Sequence, residues 1–347
     1  MISIQVLRAI AALLVVMVHT TLKAQSMGFS SKVFEIGHSG VDLFFIISGF
    51  IMMMIGAREN KFSIFMSKRI VRVIPLYYII TSFALVIYII NPSLIRGNQD
   101  GITVLNSYLL IPTEGKSFLL SVGWTLSYEM FFYLTFSLTL FIKSSMKGIA
   151  ASLLLLAFVV LGKASDNVSI NTFMSPILLE FAMGIVCFYI YSFCSSRINE
   201  NTRVMLSLLM IISAAAYVFS SEDPLFTIFN NRVIDLAVPM MLVFLAFCFV
   251  ENKFKTYKSN IISRLMAYIG DASYSLYLVH LFALGAIAKA FSTLGITNSF
   301  AFISACLVIS VVAGIACYEV IEKPVSSILK KVIFKRDQSI KSTIKAK

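Results

Sequence analysis

QVLRAIAALLVVMVHTTL, residues 5 to 22, decides the fold class. A helix of these eighteen residues rises about 27 Å, enough to cross most of a hydrocarbon core about 30 Å thick. Only two of its side chains are ionisable, Arg8 and His19. Their interval of eleven residues corresponds to about 16 Å and very nearly three full turns, so both project from one face. Ionisable groups inside a membrane are costly, face the interior of a bundle or a water-filled cavity, and mark function. The plainer reading is that Arg8 snorkels to the cytoplasmic surface and His19 bonds a neighbouring carbonyl.

Outward from this run, the whole chain has the same character. Of its 347 residues, 59% are hydrophobic and 13% charged, with a mean hydropathy of +0.89. A soluble domain needs more surface charge than that. Further apolar blocks cover 40–57, 73–91, 124–142, 148–162, 173–194, 204–220, 233–250, 271–291 and 299–321. The expectation is an all-α polytopic integral membrane protein with about ten transmembrane helices. The run ITVLNSYLLIP, residues 102–112, is too short to span and suits a re-entrant or interfacial piece.

Lys and Arg gather in loops that stay cytoplasmic. They concentrate after the second, fourth, sixth and eighth spans, at Arg58, Lys61, Lys68, Lys143, Lys147, Arg197, Arg203, Lys253, Lys255, Lys258 and Arg264, and in the tail from Lys323 to Lys347. The opposite side holds Lys23, Lys32, Arg96, Lys116, Lys163 and Arg232. Both termini are therefore expected in the cytoplasm. The net charge of +12 follows from topology and from anionic lipid at the inner leaflet. Being spread over separate loops, it argues against a nucleic-acid partner. The organisation expected is one transmembrane domain over residues 1–326 and a basic cytoplasmic tail over 327–347. Arg8 followed by AIAALLVVMV also has the form of a signal peptide, although the retained His19 argues against removal. Five cysteines, all within spans and without a CxxC, indicate no disulfide framework and no metal site.

With no long extramembrane region, chemistry must happen among the helices. Asp42 opens the second span at a depth close to that expected for His19, where a carboxylate can orient an imidazole. Capping of the helix start explains it equally well. Arg69 and Arg72, in SKRIVRVIPLYY before the third span, are neighbours on one helix face and suit phosphate binding; positive-inside bias would also place them there. Pro75 is expected to set the entry of the third helix. Glu129 lies inside the fourth apolar run, where it needs a partner and is the second catalytic candidate. Trp124 suits an interfacial belt, and Ser48 and Gly49 suit close helix packing. His280 is half a turn off the face of Asp271 and reads as a packed, hydrogen-bonded histidine. Glu180, Asp235, Lys289, Glu319 and Glu322 form no evident constellation.

The segments QVLRAIAALLVVMVH, SGVDLFFIISGF, SKRIVRVIPLYY, WTLSYEMFFY, GDASYSLYLVH and YEVIEKPVS, taken in order across residues 5–326, resemble the acyltransferase-3 group of bacterial membrane acyltransferases. The opening most resembles the exopolysaccharide acetyltransferases of that group. The resemblance implies acetyl transfer from cytoplasmic acyl-CoA, most simply acetyl-CoA, to a hydroxyl of an envelope polysaccharide or a lipid-linked glycan, at the bacterial inner membrane. It implies that His19 acts in acyl transfer, with Glu129 in the fourth-span motif, and an acyl-CoA donor whose phosphates Arg8, Arg69 and Arg72 would hold; Asp42 joins the catalytic candidates on its expected depth alone. Tyr128 and Met130 depart from the family's usual residues around Glu129. No permanently bound cofactor and no metal are implied. The rival reading is a carrier or flippase for a lipid-linked glycan, since a charged cavity through ten helices serves either task; the lack of internal symmetry counts against it.

Overall fold

The structure is a computed structural model that describes all residues except 57, 58, 60, 96–100, 113, 114, 221–232, 257–259 and 334–347. Arg58, Arg96, Arg232, Lys258 and the tail lysines from Lys335 onward thus lie outside the described residues. Among the described residues the regular structure is helical, apart from one isolated bridge between Ile102 and Ser117. Hydrocarbon offers backbone groups no water, so apolar runs of this length satisfy their own amides and carbonyls as helices.

Among the described residues, eight helices are long and apolar enough to cross a membrane: Ile2–Ser26, Glu35–Gly56, Phe62–Ile90, Ser144–Lys163, Ile170–Arg197, Glu200–Val218, Ser273–Leu294 and Ser299–Ile333. Two expected spans are shorter helices, Gly123–Leu138 and Asp235–Phe249. The helix Phe62–Ile90 starts well before residue 73 and runs through Pro75. Arg69 and Arg72 therefore lie within it rather than in a connection, and Pro75 is interior to the helix. The short apolar run 102–112 contains a six-residue helix, Val104–Leu109. The C-terminal helix continues past residue 326 to Ile333.

The first helix, α1 (Ile2–Ser26), runs through the middle of the bundle. It packs against α2 (Ser39–Gly56), the apolar helix Val238–Phe249, the short amphipathic helix Ile261–Asp271, and the two C-terminal helices Ser273–Leu294 and Ser299–Cys317. Its start is fixed electrostatically: the Glu251 carboxylate accepts from the amides of Ile2 at 3.0 Å and Ser3 at 2.9 Å, satisfying donors that every helix leaves open at its positive end. α2 crosses the helix Leu178–Arg197 at Gly49 and Gly184. A Cβ on Gly49 would run into the backbone carbonyl of Phe181, and one on Gly184 into that of Ile46. Small residues let two backbones approach this closely where packing is the main force available. Phe45 and Phe132 pack on Phe181 beside the crossing, their ring centroids 4.6 and 4.3 Å from its own. On the outside, Phe83, Val86, Ile89 and Ile90 of the helix Phe62–Ile90 are exposed, which suits contact with lipid.

Candidate functional site

Two cavities follow α1, one around Arg8 and one around His19. For brevity α3 denotes Phe62–Ile90, α4 Val104–Leu109, α5 Gly123–Leu138, α6 Ser144–Lys163, α7 Val168–Phe173, α8 Leu178–Arg197, α9 Glu200–Ser220, α10 Val238–Phe249, α11 Glu251–Thr256, α12 Ile261–Asp271, α13 Ser273–Leu294 and α14 Ser299–Cys317.

The first cavity is lined by α1, α2, α3, α5 and α13. It gathers Arg8, Arg69, Arg72 and Glu129, four of the six residues singled out in the sequence, with Ser48, Tyr133, Tyr274 and Tyr277. Arg69 is buried, whereas Arg72 is exposed. The Arg69 guanidinium lies 5.9 Å from the ring centroids of both Phe65 and Tyr133, so aromatic faces support its charge. Its Nε and Nη1 have no hydrogen-bond acceptor among the described residues. None of the three arginines makes a close ion pair among the described residues. Glu129 accepts instead from Ser48 Oγ at 3.0 Å and from the Tyr133 hydroxyl. Hydroxyl donors hold this carboxylate in place and leave the guanidinium groups open to another anion.

Glu322, which formed no constellation in the sequence, belongs at the edge of this site. The chain from Tyr318 to Glu322 makes a π-helical turn, a wider coil that re-aims side chains and recurs at functional sites. It lets Ser275 donate to Glu322 Oε2 at 2.6 Å. Asp271 is tied to Gln5, whose Nε2 donates to Oδ1 at 2.9 Å.

The second cavity lies toward the other end of α1. His19, Lys23, Ser121 and Lys289 supply its polar lining, among Leu22, Ile87, Leu281, Phe282 and other apolar groups. Lys289 thus acquires a location. Nearby, the Tyr108 hydroxyl lies 2.8 Å from Ser82 Oγ, and Trp124 packs edge-on against Tyr128.

His19 Nδ1 is 2.9 Å from His280 Nε2. The neighbour of the imidazole is therefore another imidazole, not Asp42. Asp42 is fully buried, but α2 runs antiparallel to α1: Gly37 abuts Leu14 and Val18, and Gly40 abuts Ala11 and Val15. Asp42, further along α2, thus falls roughly two turns, ~10 Å, below His19. Buried and hydrogen-bonded as the sequence suggested, His280 owes its position to a partner 261 residues away, which no local pattern can reveal. Tyr133 and Tyr277 passed unnoticed among the many apolar and aromatic residues around them. The former is one helical turn beyond Glu129, the spacing at which a hydroxyl reaches a carboxylate.

Among known proteins, a family model described as an acyltransferase domain matches residues 1–319. Exopolysaccharide production protein ExoZ of Rhizobium meliloti is 29% identical over 84% of this chain and 90% of its own length. Acyltransferase MdmB of Streptomyces mycarofaciens is 27% identical over 85% and 82%. The putative acetyltransferase ORF330 of Acidianus two-tailed virus is 24% identical over 78% and 80%. No solved structure matches.

Proposed function

The chain belongs to the acyltransferase-3 family, and from that premise we propose that it is a multi-pass inner-membrane O-acyltransferase moving acetyl from cytoplasmic acetyl-CoA to a hydroxyl of an envelope polysaccharide or lipid-linked glycan. One observation carries the donor half of this reading. Three guanidinium groups converge on one cavity without a close ion pair among the described residues, and the buried one has two N–H groups without acceptors. A phosphate-rich donor supplies such acceptors, and a planar guanidinium suits them geometrically.

The acceptor half is supported by a relative named for exopolysaccharide production and another named a putative acetyltransferase. In this reading CoA phosphates rest against Arg8, Arg69 and Arg72, and the thin pantetheine arm reaches along α1 toward His19. His19 serves either as base for the acceptor hydroxyl or as nucleophile through an acyl-imidazole. Glu129 keeps the donor cavity polar and orders Ser48 and Tyr133. The cavity around His19 receives the acceptor. The membrane domain is taken to be 1–326, with the basic tail 327–347 at the cytoplasmic surface.

The test is acceptor-dependent CoA release by the purified protein in lipid nanodiscs. Wild type should release CoA from acetyl-CoA when glycan is present. His19→Ala should lower turnover by about 1000-fold, within the range of a positioned acid or base, while keeping its thermal unfolding profile. Ordinary turnover in that variant would remove His19 from the mechanism.

A further inference from the structure

The geometry points to His280 as a positioning residue that fixes the tautomer of His19, holding hydrogen on Nδ1 and the lone pair on Nε2; this rests on the acyl-transfer reading above only for its consequence in turnover.

The argument begins at the far end of the chain of contacts. His280 is fully buried on α13. Its Nδ1 lies 2.8 Å from the carbonyl oxygen of Tyr277 and 3.3 Å from that of Leu276. Carbonyl oxygens only accept, so Nδ1 carries the hydrogen. A neutral imidazole has a single N–H, which leaves a lone pair on His280 Nε2. That atom faces His19 Nδ1 at 2.9 Å, so His19 Nδ1 must donate. The rings are inclined by 24°, close enough to coplanar for the N–H to point along the acceptor's lone pair. The opposite assignment would set a nitrogen lone pair against the Tyr277 carbonyl 2.8 Å away, an uncompensated repulsion in a buried site.

The consequence falls on the other nitrogen of His19. With Nδ1 committed, Nε2 holds the lone pair. His19 is half-buried and lines the second cavity. The relay from the Tyr277 carbonyl through His280 therefore presents one basic nitrogen to whatever occupies that cavity. In hydrolytic triads a carboxylate does this work. No carboxylate is bonded to either ring among the described residues, and a neutral imidazole orients His19 without adding negative charge on the path of a polyanionic donor.

The chain contains only three histidines, His19, His38 and His280, so protein labelled with 15N-histidine gives three imidazole spin systems, assigned with single variants. In full-length wild type, His19 should show a protonated Nδ1 and an unprotonated Nε2. His280→Gln can accept from His19 Nδ1 through Oε1 and donate to the Tyr277 carbonyl, so it should keep that tautomer and retain turnover within about tenfold of wild type. His280→Leu should release the tautomer and lower kcat by about 100-fold or more, with the KM for acyl-CoA changed by less than about twofold, since the ring does not touch the donor cavity. A protonated Nε2 on His19 in wild type overturns the assignment. So do equal losses in both variants with the tautomer unchanged, which would mark a packing role, and so does wild-type turnover in His280→Leu. Should wild type transfer no acyl group at all, the functional reading fails while the tautomer measurement still decides the role of His280.

Discussion

Arg69 is where the cost of the site is concentrated. A guanidinium taken out of water needs hydrogen bonds or a counter-charge. This one receives two aromatic faces and leaves Nε and Nη1 unused among the described residues. A group held ready in this way contributes mainly to binding a bound anion, before any bond changes. Removing it should therefore raise the KM for acyl-CoA rather than lower kcat. For Arg69→Ala the expected rise is about 10- to 100-fold, the equivalent of one charged hydrogen bond of about 1.5–3 kcal/mol, with acceptor KM changed far less. Initial rates with each substrate varied in turn give the answer; an unchanged donor KM would reduce Arg69 to a topology signal. Arg8, Arg69, Arg72 and Glu129 could be picked from the sequence because ionisable groups in apolar runs stand out. Ser48 and Tyr133, the donors that hold Glu129, could not, since serine and tyrosine are ordinary in such runs. The His19–His280 bond was beyond reach for another reason: helical periodicity orders residues within one helix, and this contact joins helices from opposite ends of the chain.

At the scale of elements, apolar length located most helices, while their ends and mutual depth escaped it. Arg69, Arg72 and Pro75 look like a boundary in one dimension, so the sequence predicts a third span from about residue 73, whereas α3 begins at Phe62. In the fold the arginines line the first cavity, and one continuous helix carries them there although Pro75 gives up a backbone hydrogen bond. Asp42 was placed at the depth of His19 by counting from span edges, which ignores how far α2 slides along α1. Gly37 and Gly40 set that offset by admitting the α1 backbone. The crossing of α2 with α8 makes a comparable demand. At Gly184→Leu a side chain must enter space held by the Ile46 carbonyl and the start of Phe50, and backbone cannot yield as a side-chain tip can. Destabilisation of about 1–3 kcal/mol or more is expected, read as a clear fall in unfolding temperature in detergent. Gly285→Leu, where a Cβ meets nothing within 4 Å, is the matched control for adding bulk to a helix.

For the whole molecule, the decisive feature is the order of the two cavities along α1. On the proposed topology, which puts the N-terminus in the cytoplasm, Arg8 would lie near the compartment of the proposed donor. His19, counted from residue 5, lies roughly 21 Å up a core about 30 Å thick, nearer the far face. The cavity of Arg8 bears the guanidinium groups, and that of His19 has an apolar wall with Lys23, Ser121 and Lys289. In the proposed reading a thioester entering from the cytoplasmic side would reach His19 from below, and an acceptor hydroxyl would reach it from above. The acyl group should change sides during transfer, with no need for acetyl-CoA to cross. Protein sealed in vesicles of known orientation, given acetyl-CoA only at its cytoplasmic face and glycan at either face, should acylate glycan supplied at the opposite face. Product formed solely from glycan on the donor side would mean that both substrates enter through the arginine cavity, and that the cavity of His19 serves something other than the acceptor.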